Sequence, residues 1–428
     1  MSTQKPLSIL ISGGGIAGST LALVLARQPS LDPKPIITLV ERSPTPRTTG
    51  QAVDLRGPAV KAIRLLGLEK KIKDRHTSEL GMRFINPGGK TIAQFDASGD
   101  SEKQSGPTSE FEILRGDLAQ LLLDEVEETK KSNPEVKINI VYGESIQSLD
   151  EQEDGVTVGF NGKLETQKFD VVVAADGMAS RTRSMIFNEY ASEDIIKPAG
   201  WYIAYFTIPR LEDDESYWSW YNAPEGLVVH MRPHRDLKTM GVYLSIVLPT
   251  KARNPELEAI LARGVDAQKA MLRKRFANVG WKTERLLNEM DISDDFYMQQ
   301  VAQVKAPVWT KGRCALIGDS AHCTMGIGTS LAMIDAYTLS GELAKVTSNS
   351  REEVSGALHR FEELVMALVK ENGEMPRGFP QLANPQTWWG IAIMHVIVRL
   401  VYWTKLDKLL MGLGEPSEEK WKLPDYGW

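Results

Sequence analysis

The 428-residue chain carries 50 basic and 56 acidic side chains, a formal net charge of −6, with 25% charged and 42% hydrophobic residues. That length exceeds one typical domain and that composition is ordinary for a globular protein, so a disulfide-stapled mini-fold and global disorder are excluded. The acidic balance offers no basic field to a nucleic-acid backbone, and Cys314 and Cys323 are too far apart for a Cys-x-x-Cys redox or zinc pattern. Neither nucleic acid nor a metal is expected, and a reducing compartment fits.

From the N-terminus, Leu7–Ser12 is a short apolar run that stops at three glycines, and Ile16–Arg27 has the Ala/Leu composition of a helix. The run is too short for a signal-peptide core and has no cleavage pattern, so it reads as the first strand of a cytoplasmic fold. Ile36–Val40, β-branched and closing on Glu41-Arg42, supplies a parallel second strand and completes a right-handed βαβ unit. Gly57–Leu68 reads as a helix with a glycine stop, and Gly81–Phe95 as a strand pair turning at Pro87-Gly88-Gly89. Ser98–Ser109 reads as a polar loop and Arg115–Lys131 as a long helix.

Asp170–Ala175 has the pattern of a fully buried strand and ends at Asp176-Gly177. From Gly200 to Pro249 aromatic residues alternate through Trp201, Tyr205, Trp218 and Trp220, which predicts an antiparallel sheet forming a separate module. Helical Asn254–Ala277 follows, Cys314–Ile317 returns as a buried strand ending on Gly318-Asp319, and the chain is helical from Thr329 onward. Thr387–Leu413 reads as a buried closing helix in preference to one lying in a membrane surface. Its apolar centre, Trp388–Trp403, is short of the roughly 20 residues that span a bilayer.

The segment Gly13-Gly14-Gly15-Ile16-Ala17-Gly18 fits G-x-G-x-x-G between a strand and a helix. In that setting Gly13 makes the tight turn, Gly15 lets a pyrophosphate approach, and Gly18 packs the helix, whose first N–H groups at Ile16 and Ala17 face the phosphates. Glu41, closing the second strand, would accept ribose hydroxyls, and Arg42 beside it would pack on an adenine face or stay solvated. The pattern calls for a dinucleotide without distinguishing FAD from a nicotinamide.

Two later strand ends add to it: Val171–Ala175 runs into Asp176-Gly177-Met178-Ala179-Ser180, and Ala315–Ile317 into Gly318-Asp319-Ser320-Ala321-His322. Together the three motifs resemble those of the single-component FAD-dependent aromatic hydroxylases, the family of para-hydroxybenzoate hydroxylase and the tetracycline-inactivating monooxygenases. The resemblance covers most of the chain, with gaps in the sheet module. It implies that Asp319 accepts hydrogen bonds from ribityl hydroxyls, a helix N-cap being the alternative, and that Gly326-Ile327-Gly328-Thr329-Ser330 opens a helix at the flavin's pyrimidine edge. It further implies that Asp176-Gly177, with Ser180 and Arg183, serves both FAD and NADPH or else forms a structural turn. By the same resemblance Arg115 contacts the flavin, the loop Gln51–Gly57 lies along it with Asp54 the matching acid, and Arg47 meets NADPH.

The fold so implied is α/β. A Rossmann-like FAD-binding domain is drawn from residues 1–75, 105–185 and 300–375, an inserted antiparallel-sheet substrate domain from 76–104 and 186–299, and a helical C-terminal segment from 376–428. The implied reaction has NADPH or NADH reduce FAD and O₂ add at C4a. The resulting hydroperoxide would hydroxylate or epoxidise an electron-rich small molecule, aromatic or of polyketide or alkaloid type. Tyr205 and Trp220 would line the substrate pocket. His230, Arg232, His234 and His322 are the catalytic candidates, although Arg232-Pro233-His234-Arg235-Asp236 reads equally as a hairpin loop.

One departure stands out. The stretch His322-Cys323-Thr324-Met325-Gly326 is shorter than the proline-bearing loop that relatives carry beside the flavin. A flavin oxidase or dehydrogenase, and a non-redox cyclase scaffold on the same fold, therefore stay open as alternatives. The chain has no second Gly-x-Gly-x-x-Gly for a separate NADPH domain, and no Gly-x-Ser-x-Gly elbow or metal-spaced histidines for a hydrolase.

Overall fold

The computed structural model describes residues 5–46, 50–97, 110–189, 192–406 and 421–428. Arg47, the Ser98–Ser109 loop and the end of the expected Thr387–Leu413 helix lie outside the described residues. The chain runs β1 (Ser8–Ser12), α1 (Ile16–Arg27), β2 (Ile36–Glu41), β3 (Ala52–Asp54), α2 (Pro58–Leu65), α3 (Glu69–Lys73), then the hairpin β4 (Gly81–Ile85) and β5 (Thr91–Asp96). It continues through β6 (Glu112–Leu114), α4 (Arg115–Ser132), β7 (Lys137–Tyr142), β8 (Ile146–Gln152), β9 (Gly155–Phe160), β10 (Gln167–Phe169), β11 (Val171–Ala174) and α5 (Arg181–Ile186). Next come α6 (Ser192–Ile195), β12 (Ile196–Pro209), β13 (Trp218–Ala223), β14 (Leu227–Pro233), β15 (Thr239–Val247), α7 (Pro255–Ala262), α8 (Val265–Phe276), α9 (Thr283–Ile292) and β16 (Tyr297–Lys305). The remaining elements are β17 (Thr310–Lys311), β18 (Cys314–Leu316), β19 (His322–Cys323), α10 (Gly328–Leu343), α11 (Arg351–Asn372) and α12 (Trp388–Thr404).

Six strands form one sheet in the order β17-β18-β11-β1-β2-β7. β1 pairs in parallel with β2 and β11, and β11 in parallel with β18, which brings Ser12, Ala174 and Leu316 into line although they are far apart in the chain. These strands are continuous apolar runs because helices cover both faces of a parallel sheet. Ile9–Ile11, Val171–Ala174 and Ala315–Leu316 share one buried core with side chains of α1, α4, α10 and α11. The three motif-bearing strand ends thus open on the same edge, the position where open α/β sheets bind ligands.

The second sheet has eight strands, ordered β19-β16-β12-β15-β14-β13-β4-β5. Alternation along its strands sorts the side chains onto two faces. Tyr202, Ala204, Phe206, Val229, Met231, Val242 and Leu244 point to one side and join Leu257, Leu272, Phe276, Leu286 and Leu287 of α7–α9 in a second core. Tyr205, Trp220, His230, Arg232, Tyr243 and Tyr297 fall on the other side. That face meets the first unit: Tyr297 Oη donates to Gln51 Oε1 at 2.6 Å, and Tyr243 Oη accepts from the Ala52 amide at 3.3 Å.

Three local expectations change. The helix expected over Asn254–Ala277 is broken at Gly264, where φ is +88°, giving α7 and α8. The hairpin expected at Arg232–Asp236 turns later: Arg232 and Pro233 still pair with Gly241 and Met240, so the turn starts at His234. The strand keeps its arginine buried because two carboxylates meet it there. The closing helix is also not buried. Ile391 is the one fully buried residue of α12, and Trp388, Trp389, Ile393, Val396, Ile397, Leu400 and Trp403 are exposed, because the helix rests on β5 and β13 by a single face. No helix among the described residues is long and apolar enough to cross a membrane.

Candidate active site

At the end of β1 the chain turns under tight steric constraint. Gly13 has φ of +114°, and a Cβ there would lie 2.4 Å from the Ala175 carbonyl oxygen. A Cβ at Gly18 would lie 2.0 Å from the carbonyl oxygen of Gly13, so helix α1 packs on the turn only with glycine at this position. Gly15 differs: nothing lies within 4 Å of its would-be Cβ, and it caps α1 in an extended conformation with no side-chain hydrogen bond. An open volume therefore faces the N-terminus of α1, where the free N–H groups of Ile16 and Ala17 concentrate positive potential. Glu41 fixes the turn from β2, its two oxygens accepting from the amides of Gly14 at 2.8 Å and Ser43 at 2.7 Å. Each oxygen keeps a further lone pair for a hydroxyl. Arg42 is exposed beside it.

The end of β18 forms the next wall. Asp335, in the middle of α10 and fully buried, accepts from the Gly318 amide at 2.6 Å and from His322 Nε2 at 2.9 Å. One carboxylate oxygen thus pins both ends of the Gly318–His322 turn and presents Asp319, which is half-buried. His322 is buried against Trp309, ring centroids 4.7 Å apart, and Asp335 raises its pKa against the opposing effect of burial. Its visible contacts hold the Gly318–His322 turn. Cys323 follows, and burial together with Asp319 pushes its thiol well above the ordinary range, which rules out a thiolate nucleophile at neutral pH. Thr324 Oγ1 is buried there without a hydrogen-bond partner.

The loop between β2 and α2 completes the enclosure. β3 pairs with β6, setting Asp54 opposite Glu112, and the Arg115 amide donates to Gln51 O at 2.9 Å. The Arg56 amide donates to Ser330 Oγ at 3.0 Å, joining this loop to the start of α10 at Gly328-Thr329-Ser330, with Gly326 exposed just before it. Asp54 accepts from Arg56 Nε at 2.7 Å, and Arg115 is exposed at the head of α4. Asp176 is engaged locally: it accepts from Ser180 Oγ and from the Thr182 amide and hydroxyl at 3.1 and 2.9 Å, holding the start of α5. Arg183 ties that start to the neighbouring turn by donating to Ser320 O at 2.8 Å.

Facing this rim, the inner side of the eight-stranded sheet is an unbroken row of rings. Phe84 stacks on Trp220 at 5.6 Å, Trp220 meets His230 at 4.7 Å, and His230 lies 6.1 Å from Tyr243. Tyr243 packs on Tyr205 at 4.9 Å, and Tyr205 stacks on Tyr297 at 4.8 Å. His230 accepts from Trp218 Nε1 at 3.0 Å through Nδ1, and burial with Arg232 nearby pulls its pKa down to about 3. The imidazole is thus held neutral, with Nδ1 accepting from Trp218 and its other nitrogen free to donate. Arg232 is clamped by Glu79, at 2.8 and 2.9 Å, and by Glu112, with its guanidinium 4.4 Å from the Trp218 ring. Burial drives the Glu79 carboxyl up to about 7 although Arg232 opposes it, because Glu112 shares the same guanidinium. His234 is outside this row, bonded to Thr239 Oγ1 at 3.0 Å.

A family model described as an FAD binding domain matches residues 7–360. The chain belongs to that FAD-binding family. The FAD-dependent monooxygenase asL6 of Sarocladium schorii is 31% identical over 433 residues, 98% of each chain. The flavin-dependent monooxygenase eupH of a Phoma species is 32% identical over 438 residues, again 98% of each. The crystal structure of tetracycline destructase Tet(55) matches with a TM-score of 0.72 at 27% identity and covers all of both chains. Klebsiella pneumoniae HpxO, complexed with FAD and uric acid, shares the fold at 18% identity, with a TM-score of 0.69 over 95% of this chain and 96% of its own. The α/β flavoprotein fold expected from the three motifs is the fold of these proteins.

The residues of this flavin-dependent monooxygenase fit FAD. The open volume over Gly15, the cradle closed by Gly13 and Gly18, and the unpartnered Thr324 hydroxyl beside Asp319 and Gly328 line the one edge where β1, β11 and β18 end. NAD(P)H is the usual co-substrate of such enzymes. Sequence reasoning missed Glu79, Glu112, Tyr243, Tyr297 and Asp335. Of these, Asp335 alone carried a signal, an acid in the apolar stretch from Leu331 to Tyr337. Among the described residues no group of His, Cys, Asp and Glu side chains has the arrangement of a metal site.

Proposed function

We propose that this monooxygenase uses NAD(P)H and O₂ to hydroxylate or epoxidise an elongated, electron-rich small molecule, an aromatic compound or a fused-ring polyketide or alkaloid. The observation that carries the reading is the row of rings from Phe84 to Tyr297, which ends on the loop expected to lie along the flavin. When bound, reduced FAD activates O₂ and transfers one oxygen atom to substrate while the other leaves as water. The chain's own residues orient the substrate and keep the site dry. Flat apolar rings stack on Trp220 and Tyr205, each such pair contributing about 0.5–1.5 kcal/mol beyond area burial. Trp220 Nε1 is buried with no hydrogen-bond partner, and we assign it to a substrate carbonyl or hydroxyl. Burial holds the phenols of Tyr205 and Tyr297 above their ordinary pKa, so both stay neutral donors beside the reacting centre. That a relative is named for acting on tetracycline, a four-ring polyketide, is consistent with a wall of this length.

The test is a product screen under ¹⁸O₂ with NADPH and NADH against a panel of aromatic and polyketide substrates. One labelled oxygen per product molecule, with one NAD(P)H consumed, is the expected result. A dehydrogenated product with all label in H₂O₂ would replace the reading by an oxidase. Turnover that persists with 5-deazaFAD, which cannot activate O₂, would replace it by a non-redox scaffold.

A further inference from the structure

A large apolar surface among the described residues that the reaction does not use is the outer side of α12. Trp389, Ile393, Val396, Leu400 and Trp403 follow one another at steps of four and three along it, and Trp388 and Ile397 flank them. Their exposures run from 53% for Ile393 to 82% for Trp403. The opposite side, through Ile391 and through Tyr402 against Phe95, attaches the helix to the substrate sheet. Monomeric proteins rarely leave a contiguous apolar strip of this kind in water without a use for it.

We propose that α12 docks flat on an anionic lipid surface. Three observations select that occupant. The two formal charges of α12 and its C-cap, Arg399 and Lys405, are both positive, in a chain whose net charge is −6. Tryptophan stands at both ends of the strip, Trp388 and Trp389 at one and Trp403 at the other, the residue that settles at a membrane–water boundary. The helix is about 25 Å long, too short to span, so it lies in the surface plane. A second copy of the chain is the weaker occupant, because a helix seam with cationic flanks needs acids opposite them and α12 has none. Asp96, which follows Phe95 in β5, already accepts from Gln94 and Tyr217.

The experiment is flotation of the FAD-loaded full chain with vesicles of phosphatidylcholine alone or with phosphatidylserine at 7:3. The protein is expected to float with the anionic vesicles and to be released by high salt. Arg399→Gln with Lys405→Gln lowers partitioning about 25-fold at low salt, at about fivefold per cation near a charged surface. Trp389→Ser with Trp403→Ser abolishes flotation while melting temperature and flavin absorbance stay those of the parent. Failure to float, or equal binding to neutral vesicles that ignores the charge variant, overturns the proposal. So does a dimer by sedimentation velocity that the tryptophan variant dissociates, since the strip would then be a seam between copies.

Discussion

Alanine at Gly15 and alanine at Gly18 should have opposite consequences although the two sites are three residues apart. At Gly15, φ of −74° and ψ of −171° are ordinary for alanine and the new Cβ meets nothing within 4 Å. The cost to the cofactor-free fold is that of a poorer N-cap, about 1 kcal/mol at most. The added methyl does occupy the volume over the first turn of α1, where a diphosphate must come to reach the N–H groups. Loss of one charge-assisted hydrogen bond, about 1.5–3 kcal/mol, weakens FAD binding about 10- to 150-fold. At Gly18 the Cβ would sit 2.0 Å from Gly13 O and 3.1 Å from Ile11 Cγ2. Relief there requires α1 to move off the sheet, which costs about 3 kcal/mol or more. Urea melts of the apoproteins and fluorescence-quench titration with FAD separate the two effects. Gly15→Ala that binds FAD as tightly as the parent, or Gly18→Ala that melts with it, refutes the assignment of the turn.

Asp319→Ala should cost about 1–3 kcal/mol of FAD affinity, about 5- to 150-fold, with little change in the apoprotein melt; unchanged affinity by the same titration would reduce Asp319 to a turn residue. Glu79→Gln should change the pH dependence of stability. Folded Glu79 holds its proton up to about pH 7 whereas the unfolded residue releases it near 4.5, so this group lowers stability as pH rises between those values, by about 3 kcal/mol in full. The glutamine variant lacks that loss, and its urea midpoint relative to the parent should climb from pH 5 to pH 8; parallel curves would contradict it. Lengthening the His322–Gly326 segment with a proline-bearing insert between Cys323 and Met325 should change the H₂O₂ formed per NAD(P)H consumed, because preorganised donors beside the reacting oxygen contribute up to about 3–4 kcal/mol each. An unchanged ratio with and without substrate means that the segment is only a connector.

What the sequence made legible is what lies close together along it. The glycine turn, the parallel strands and Glu41 fall within about thirty residues, and the two later acids announce themselves at the ends of β-branched runs. The clamp on Arg232 was not legible, because Glu79 precedes β4, Glu112 is on β6 and Arg232 on β14, with no spacing rule to join them. Along the sequence Arg232 reads as a catalytic or hairpin residue, because Arg232-Pro233-His234-Arg235-Asp236 has the composition of a loop. Its burial depends on partners that only the assembled sheet brings near. Tyr205 and Trp220 were read correctly as sharing an aromatic strand pattern, but the row they join includes Tyr243 and Tyr297 through cross-strand register, which a linear reading does not contain. For α12 the sequence was apolar on nearly every side, and which side faces water was settled by what it packs on.

The strand order of the six-stranded sheet also dictates a schedule for the chain as it is made. β1 and β2 can pair early, but the next strands inward on the other side, β11 and β18, end at Ala174 and Leu316. At about 5–20 residues per second, the roughly 300 residues between β1 and β18 take about 15–60 s to synthesise. The apolar Ile9–Ile11 edge lacks its second partner, and Gly13 lacks Ala175, only until β11 is made roughly 160 residues after β1, about 8–32 s, whereas Gly318 reaches Ala17 only with β18. The hairpins of β12 to β15, all close neighbours in the chain, are complete well before then. The β12–β15 part of the substrate sheet is thus made before β16 and β18, so the wall that carries Asp319 is the last of the three strand ends to join the nucleotide cradle.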